Sequence, residues 1–245
     1  LSTVLADQGK LAEAEPIARD VLDGFRQTHG DNHVSTIVAL SNLAILLQDQ
    51  GKLAEAEPLL RKAASTSRSV LGTQHPTTLT ALNNLGSLMR DTGRLAEAAS
   101  LYRETLDGLL ASRQEADWMT MAATINLGSV LQRLGESKQA EGLLQPIRSA
   151  AKAQFQNEMA FRYAELVLTI GLARASGEFE DKRYMIAEQD LLEAYDLLST
   201  TRGATHQSTI RCVEGLADLY ARWNVARPDK DYASKAAAWR ARISP

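Results

Sequence analysis

Cysteine is nearly missing from this chain: Cys212 stands alone among 245 residues. An internal disulfide is therefore excluded, and the fold must rest on packing; a lone thiol also fits a reducing compartment. Charge of one sign is missing too, since 27 basic against 30 acidic residues leave a net charge of −3. Such a balance exerts no long-range pull on nucleic acid or anionic lipid, so neither is an expected partner. No apolar run approaches the roughly 20 residues that a bilayer crossing needs. The longest, Leu166 to Leu172, is interrupted by Thr169 and soon followed by Arg174. Glycine-rich phosphate loops and nucleophile motifs are absent, which leaves catalysis and cofactor binding without candidate residues. Histidine is scarce, with four in all, and although His29 and His33 have a spacing that a metal could accept, no second pair completes four-fold coordination. The chain opens on Leu1 inside a repeat, so it reads as part of a longer protein, and a cytoplasmic location is the expectation.

What the chain has instead is a period. Asn42-Leu43, Asn84-Leu85 and Asn126-Leu127 stand 42 residues apart, as do Gly9, Gly51, Gly93, Gly135 and Gly177. Repetition at roughly 20 to 50 residues marks an array whose units are too small to bury their own apolar faces and so stack on one another. Within each period two helical stripes alternate. Leu11, Ala14, Ile17, Ala18, Leu22 and Phe25 keep three- and four-residue spacing, and so do Ile37, Leu40, Leu43, Ala44 and Leu47. Gly51 and its counterparts stop one helix, Gly30-Asp31-Asn32-His33 is a turn, and Ser35 or Thr36 is placed to cap the next helix. Pro16 and Pro58 fall inside the second-type helices and predict a tolerated kink.

Ala44, Gly86 and Gly128 on the first-type helices match Ala56, Ala98 and Ala140 on the second-type ones. Small residues there let the two backbones approach, and a larger one should cost about 1 to 3 kcal/mol. The copies are clear over residues 1–135, diverge over 136–203, and close with a unit over 204–245. The whole is expected to be one all-α domain, with helices at Asp117 to Leu134, Ser137 to Gln156 and Glu158 to Ser176 continuing the alternation. Leu168 answers Asn126, and an insert from Glu178 to Arg183 lengthens one hairpin turn, after which Gly203 and His206 answer Gly72 and His75. Cys212, at the place of Ala81, reads as a small buried filler, Trp118, Trp223 and Trp239 as core or end-cap aromatics, and Glu188 and Glu193 as solvated helix faces.

Asn83-Asn84-Leu85-Gly86, followed by Gly93-x-Leu95-x-x-Ala98, with Leu71-Gly72-x-x-His75-Pro76 between units, resembles the 42-residue tetratricopeptide repeats of the kinesin light chain type. That resemblance implies a right-handed superhelical α-solenoid of about six helical hairpins. It also implies a non-catalytic scaffold that holds a peptide or partner helix in a concave groove lined by the first-type helices. Such repeats are common in bacterial multidomain signalling proteins, after kinase or nucleotide-binding domains. An alternative expectation is therefore a regulatory or self-associating segment of such a protein.

Carried over residue by residue, the groove would present Ser41, Ile45 and Gln48 in one unit, Asn83, Ser87 and Arg90 in the next, and Ile125, Ser129 and Gln132 in the third. Asn42, Asn84 and Asn126 flank that stripe, and Arg133 with Arg90, Asp49 and Asp91 adds mixed charge. An amide offers two donors and an acceptor, so a column of asparagines could bond the backbone of a bound strand. It could equally bond neighbouring helices and fix the repeat spacing. Arg90 and Arg133 favour an acidic or C-terminal segment, unless they are spent on pairs within the array. The lysine clamp that related chaperone-binding repeats use is absent, because Ser41 and Ile125 occupy its places.

Overall fold

A helix of L-residues ends cleanly where one position can turn left-handed, and glycine does so without a Cβ penalty. In the structure, a computed structural model that describes residues 2–112, 118–155, 159–177 and 179–243, Gly51 does this at φ 76°. The amide of Gly51 donates to the Gln48 carbonyl, and that of Lys52 reaches back to Leu47. The same closure recurs at Gly9, Gly93 and Gly135, so the 42-residue glycine period is a period of helix stops.

Between the stops lie α1 (Ser2–Asp7), α2 (Leu11–His29), α3 (Val34–Asp49), α4 (Leu53–Leu71), α5 (Pro76–Asp91), α6 (Leu95–Ala111), α7 (Trp118–Arg133), α8 (Ser137–Leu144), α9 (Arg148–Gln154), α10 (Ala160–Ala175), α11 (Asp181–Thr201), α12 (Gln207–Ala226) and α13 (Tyr232–Arg240). No strand occurs among the described residues, and the fold is an all-α helical repeat. None of these helices is long and apolar enough to cross a membrane. The expected helix residues Asp117, Gln156 and Glu158, and Glu178 of the insert, lie outside the described residues.

The chain divides into two compact units, Leu1–Ala123 and Thr124–Pro245. In the first, α2 packs on α3, α3 on α4, α4 on α5 and α5 on α6, and α3 also meets α5. Its core is layered by equivalent positions: Ile37, Leu40, Leu43 and Leu47 on α3, then Leu79, Leu82, Leu85 and Met89 on α5, are all buried. Ala44, Ala56 and Ala98 are fully buried as well. Gly86, however, is kept small by the ring of Tyr102, which would lie 2.8 Å from an added Cβ. In the second unit Gly128 meets Leu144 at 2.7 Å and Gly171 meets Leu191 at 2.9 Å in the same way. A large residue at one recurring place on the second-type helix therefore fills the notch that a glycine leaves on the first.

Four local expectations need correction. The N-cap of α3 is His33 rather than Ser35 or Thr36: its Nδ1 accepts from the Ser35 amide at 3.2 Å, and the Thr36 hydroxyl turns back to the Gly30 carbonyl. His75 and His206 cap α5 and α12 alike, an imidazole supplying the acceptor that an aspartate or serine usually offers.

The helix expected to run unbroken from Ser137 breaks at a 3-10 turn, Gln145–Ile147. Pro146 there lacks the amide that would bond Gly142, and its ring crowds that carbonyl. Pro16 and Pro58, near the starts of α2 and α4, leave those helices continuous.

Gly177 does not take the left-handed conformation of its counterparts. It is small because the Arg183 guanidinium passes 2.8 Å from where its Cβ would be, donating to the Arg174 carbonyl. Nor does the insert only lengthen a turn, since Asp181, Lys182 and Arg183 already belong to α11.

Candidate functional site

The residues expected to bind a partner lie on α3 and α5 in the first unit and on α7 in the second, and the structure treats them unequally. On α3, Ser41 is 7% exposed and its hydroxyl donates to the Ile37 carbonyl of its own helix. Asn42 one residue on is exposed and Ile45 is 37% exposed. On α5, Asn83, Asn84, Ser87 and Arg90 are half-buried. On α7, Ser129 and Ile125 are buried, Asn126 and Gln132 half-buried, and Arg133 exposed. Ser41 and Ser129 thus face inward, while Ser87 and the asparagines reach the surface at least in part.

The asparagines also divide by what they touch. Asn83 and Asn126 are engaged with other groups of the chain. The amides of Asn42 and Asn84, at equivalent places on adjacent helices, make no side-chain hydrogen bond to any described residue. On α10, the place of Asn126 is taken by Leu168, which is fully buried.

A polar chain crosses from α3 to α5. Gln48 donates from Nε2 to Asp91 Oδ2 at 2.7 Å, Arg90 donates from Nε to Asp91 Oδ1 at 2.9 Å, and Arg90 Nη2 reaches Ser87 Oγ at 3.0 Å. Arg90 is therefore held by a carboxylate of its own helix, and an acidic ligand would have to compete with Asp91 for it. Behind Gly86, Tyr102 is fully buried with no hydrogen-bond partner for its hydroxyl among the described residues. Burial pushes that phenol up to about 12. Tyr102 is thus a packing residue, like Cys212, whose thiol is buried and pushed up to about 12 chiefly by burial.

Asp49, expected to add to the mixed charge of the groove, differs from Asp91 in what it meets. It forms no ion pair with a described residue, and desolvation by its neighbours raises its pKa. The two aspartates stand one repeat apart, but Asp91 is preceded by Arg90 whereas Asp49 is preceded by Gln48. The glutamates expected to be solvated are engaged. Glu193 takes Arg148, Lys152 and the Tyr163 hydroxyl, and Glu188 takes the Tyr220 hydroxyl. Among the described residues no cluster of three or more metal-ligating side chains occurs.

Two family models described as tetratricopeptide repeat match the chain, one over residues 1–65 and 35–111 and the other over 121–146. The chain belongs to the tetratricopeptide repeat family. Among solved structures, this repeat protein is similar to kinesin light chain TPR-like repeats from Podosopora anserina, with a TM-score of 0.65 and 18% identity over 82% of this chain and 93% of that one. It is similar to BtubC (BKLC) from P. vanneervenii at a TM-score of 0.63 and 20% identity, over 94% and 91% of the two chains. A third, PilF of Pseudomonas aeruginosa, has a TM-score of 0.54 and 16% identity over 97% and 93%. No curated protein matches. At these identities the likeness is one of fold, and the tetratricopeptide family is in general one of protein interaction scaffolds.

Proposed function

We propose that this repeat protein is a non-catalytic scaffold that binds an extended segment of a partner protein along the exposed face of α3 and α5. The observation that carries it is the pair of asparagines 42 and 84. Each amide offers two donors and one acceptor, neither is spent on the chain's own described groups, and their equivalent places suit the repeating backbone of a strand. Exposed Val38 and Ile45 on α3 offer that strand apolar contact, while Thr80 and Ser87 on α5 offer hydroxyls. Asn126, Gln132 and Arg133 give α7 a similar set of residue types within its own unit. Nucleic acid and membrane stay outside this reading, and a cytoplasmic setting suits it.

A peptide library displayed on phage and selected on the purified chain tests this. Peptides enriched on the wild type should lose about ten-fold or more in affinity on Asn42→Leu/Asn84→Leu, since two hydrogen bonds at about 0.5 to 1.5 kcal/mol each are removed. Unchanged affinity, with helix content retained, overturns the assignment to this face. Concentration-dependent mass in light scattering, insensitive to these substitutions, would move the reading to a self-associating segment.

A further inference from the structure

A cavity of about 220 Å3 opens beside the proposed strand-binding face, between α1, α2 and α3. Ala6, Ala18, Ile45 and Leu46 give it apolar walls, and its polar groups include Asn42 and Asp49. Sites for cofactors and drug-sized ligands usually measure roughly 300 to 1,000 Å3, so this one is of the size that receives a single side chain. Of its three polar side chains, Ser2, Asn42 and Asp49, the two on α3 are left unsatisfied by the chain: the Asn42 amide without a hydrogen bond and the Asp49 carboxylate without a cation. An anionic or purely apolar occupant would leave Asp49 opposed or stranded. Elsewhere on the α3 and α5 face the charges are internally matched, Arg90 with Asp91, so Asp49 supplies the uncompensated one.

The geometry points to a basic side chain, arginine or lysine, of the bound partner segment as the occupant of this cavity, its head on Asp49 and Asn42 and its methylene stem along Ala18, Ile45 and Leu46. The inference rests on the proposed strand-binding reading and names the residue class which that strand must carry. Long basic side chains bury their stems against apolar walls while the charge keeps a polar partner. A guanidinium can bond a carboxylate through two parallel N–H groups, and a third N–H can reach the Asn42 carbonyl oxygen. Desolvation raises the Asp49 pKa, and a cation placed beside the carboxylate offsets that by favouring its charged form.

The test uses the whole 245-residue chain and two sets of probes. N-acetyl-arginine methylamide and its lysine and citrulline counterparts are titrated while the Asn42 side-chain amide and the Ile45 methyls are followed by NMR. The expected result is saturable shifts for the two cations, with the isosteric but neutral citrulline at least five-fold weaker. Asp49→Asn should bring arginine down to the citrulline level, whereas Asp107→Asn, on α6, should change nothing. Equal affinities for arginine and citrulline, or a preference that survives Asp49→Asn, overturns the inference. Peptides from the display selection separate the two levels. If they bind through Asn42 and Asn84 but show no enrichment of Arg or Lys, the strand-binding face stands and the basic pocket falls. If the amides fill the cavity with the expected preference but no peptide depends on the asparagines, the pocket stands alone and the strand reading falls.

Discussion

The two units solve the same packing problem with different chemistry, and the recurring glutamate of the second-type helices shows how. In the first unit Glu15 takes Arg19 and Lys52, and Glu57 takes Arg61 and Arg94, so each pair of neighbouring repeats is stapled at the surface. In the second unit the equivalent Glu141 takes Arg174 and Arg183, and Arg174 continues to Asp190, whose side chain is 3% exposed. Arg148 then joins Asp190 to Glu193. The position that must find a cation is retained, while the cation comes from a different helix and sits deeper. Aromatic packing follows the same divide. The second unit closes with Tyr184, Trp223 and Tyr232 in edge and stacked contacts and with Arg242 over Trp239. The first unit's ring contacts run instead from Phe25 to His29 and on to His33, with no Trp or Tyr in them.

Cutting the buried ion chain sharpens the contrast most. Asp190→Ala removes the buried carboxylate that Arg174 and Arg148 share, leaving Arg174 to Glu141 and Arg148 to Glu193, and should cost about 3 kcal/mol, the low end of the range for breaking a buried pair. Glu57→Ala, at a surface staple, should cost under about 1 kcal/mol. Urea denaturation followed by circular dichroism measures both. Similar losses would mean that the second unit's ion chain is as solvated as the first unit's staples.

The next effect probes what the units share. Gly86→Ala places a Cβ 2.8 Å from the Tyr102 ring, and the overpacked pair should lose about 1 to 3 kcal/mol. Gly86→Ala/Tyr102→Leu, which puts at these places the residue types of Ala44 and Leu60 one repeat earlier, both fully buried, should recover part of it. A double variant no better than the single one would show that the notch is not set by the ring.

This notch also marks how far the sequence could be read. Helix stops, helix pairs and the small-residue positions follow from one-dimensional rules, a 42-residue glycine period and a 3.6-residue stripe, and those were legible. Which residue opposes a small one depends on the helix crossing, which spacing does not encode, so Ala98 was expected where Tyr102 stands. Ser41 was placed on the binding stripe by counting residues, yet a serine can satisfy its hydroxyl on its own helix and turn inward. The roles of Asn42 and Asn84 against Asn83 and Asn126 were equally invisible, because all four have the same side chain and differ only in neighbours. Pro146 was not legible as a break, because Pro16 and Pro58 crowd the carbonyls of Ala12 and Ala54 in the same way and yet leave their helices continuous.

A smaller effect concerns the histidine caps, which both units use. His75→Ala leaves the Thr77 amide unsatisfied and should cost about 1 kcal/mol, whereas His75→Asn, also a short acceptor, should cost a fraction of that. Equal losses in thermal unfolding would show that the imidazole acts by packing and not by accepting.

The smallest effect is one of pH, and it belongs to the surface staples of the first unit. Hydrogen bonds from Arg94 and then Arg61 hold the Glu57 carboxyl down to about 2, from an ordinary 4.5. A carboxylate depressed by folding binds fewer protons in the folded chain than in the unfolded one, so its contribution is complete above about pH 4.5 and is lost as the pH falls towards about 2. Glu15, held down to about 2 by Lys52 and then Arg19, behaves alike. Glu57→Gln cannot titrate. The difference in melting temperature between wild type and Glu57→Gln should therefore shrink as the pH drops from 5 towards 2 (roughly the window that the linkage sets) and should shrink further in added salt, which screens exposed pairs. A difference that stays constant across that window would show that Glu57 stabilises by packing its stem, and the surface staple would no longer distinguish the first unit from the second.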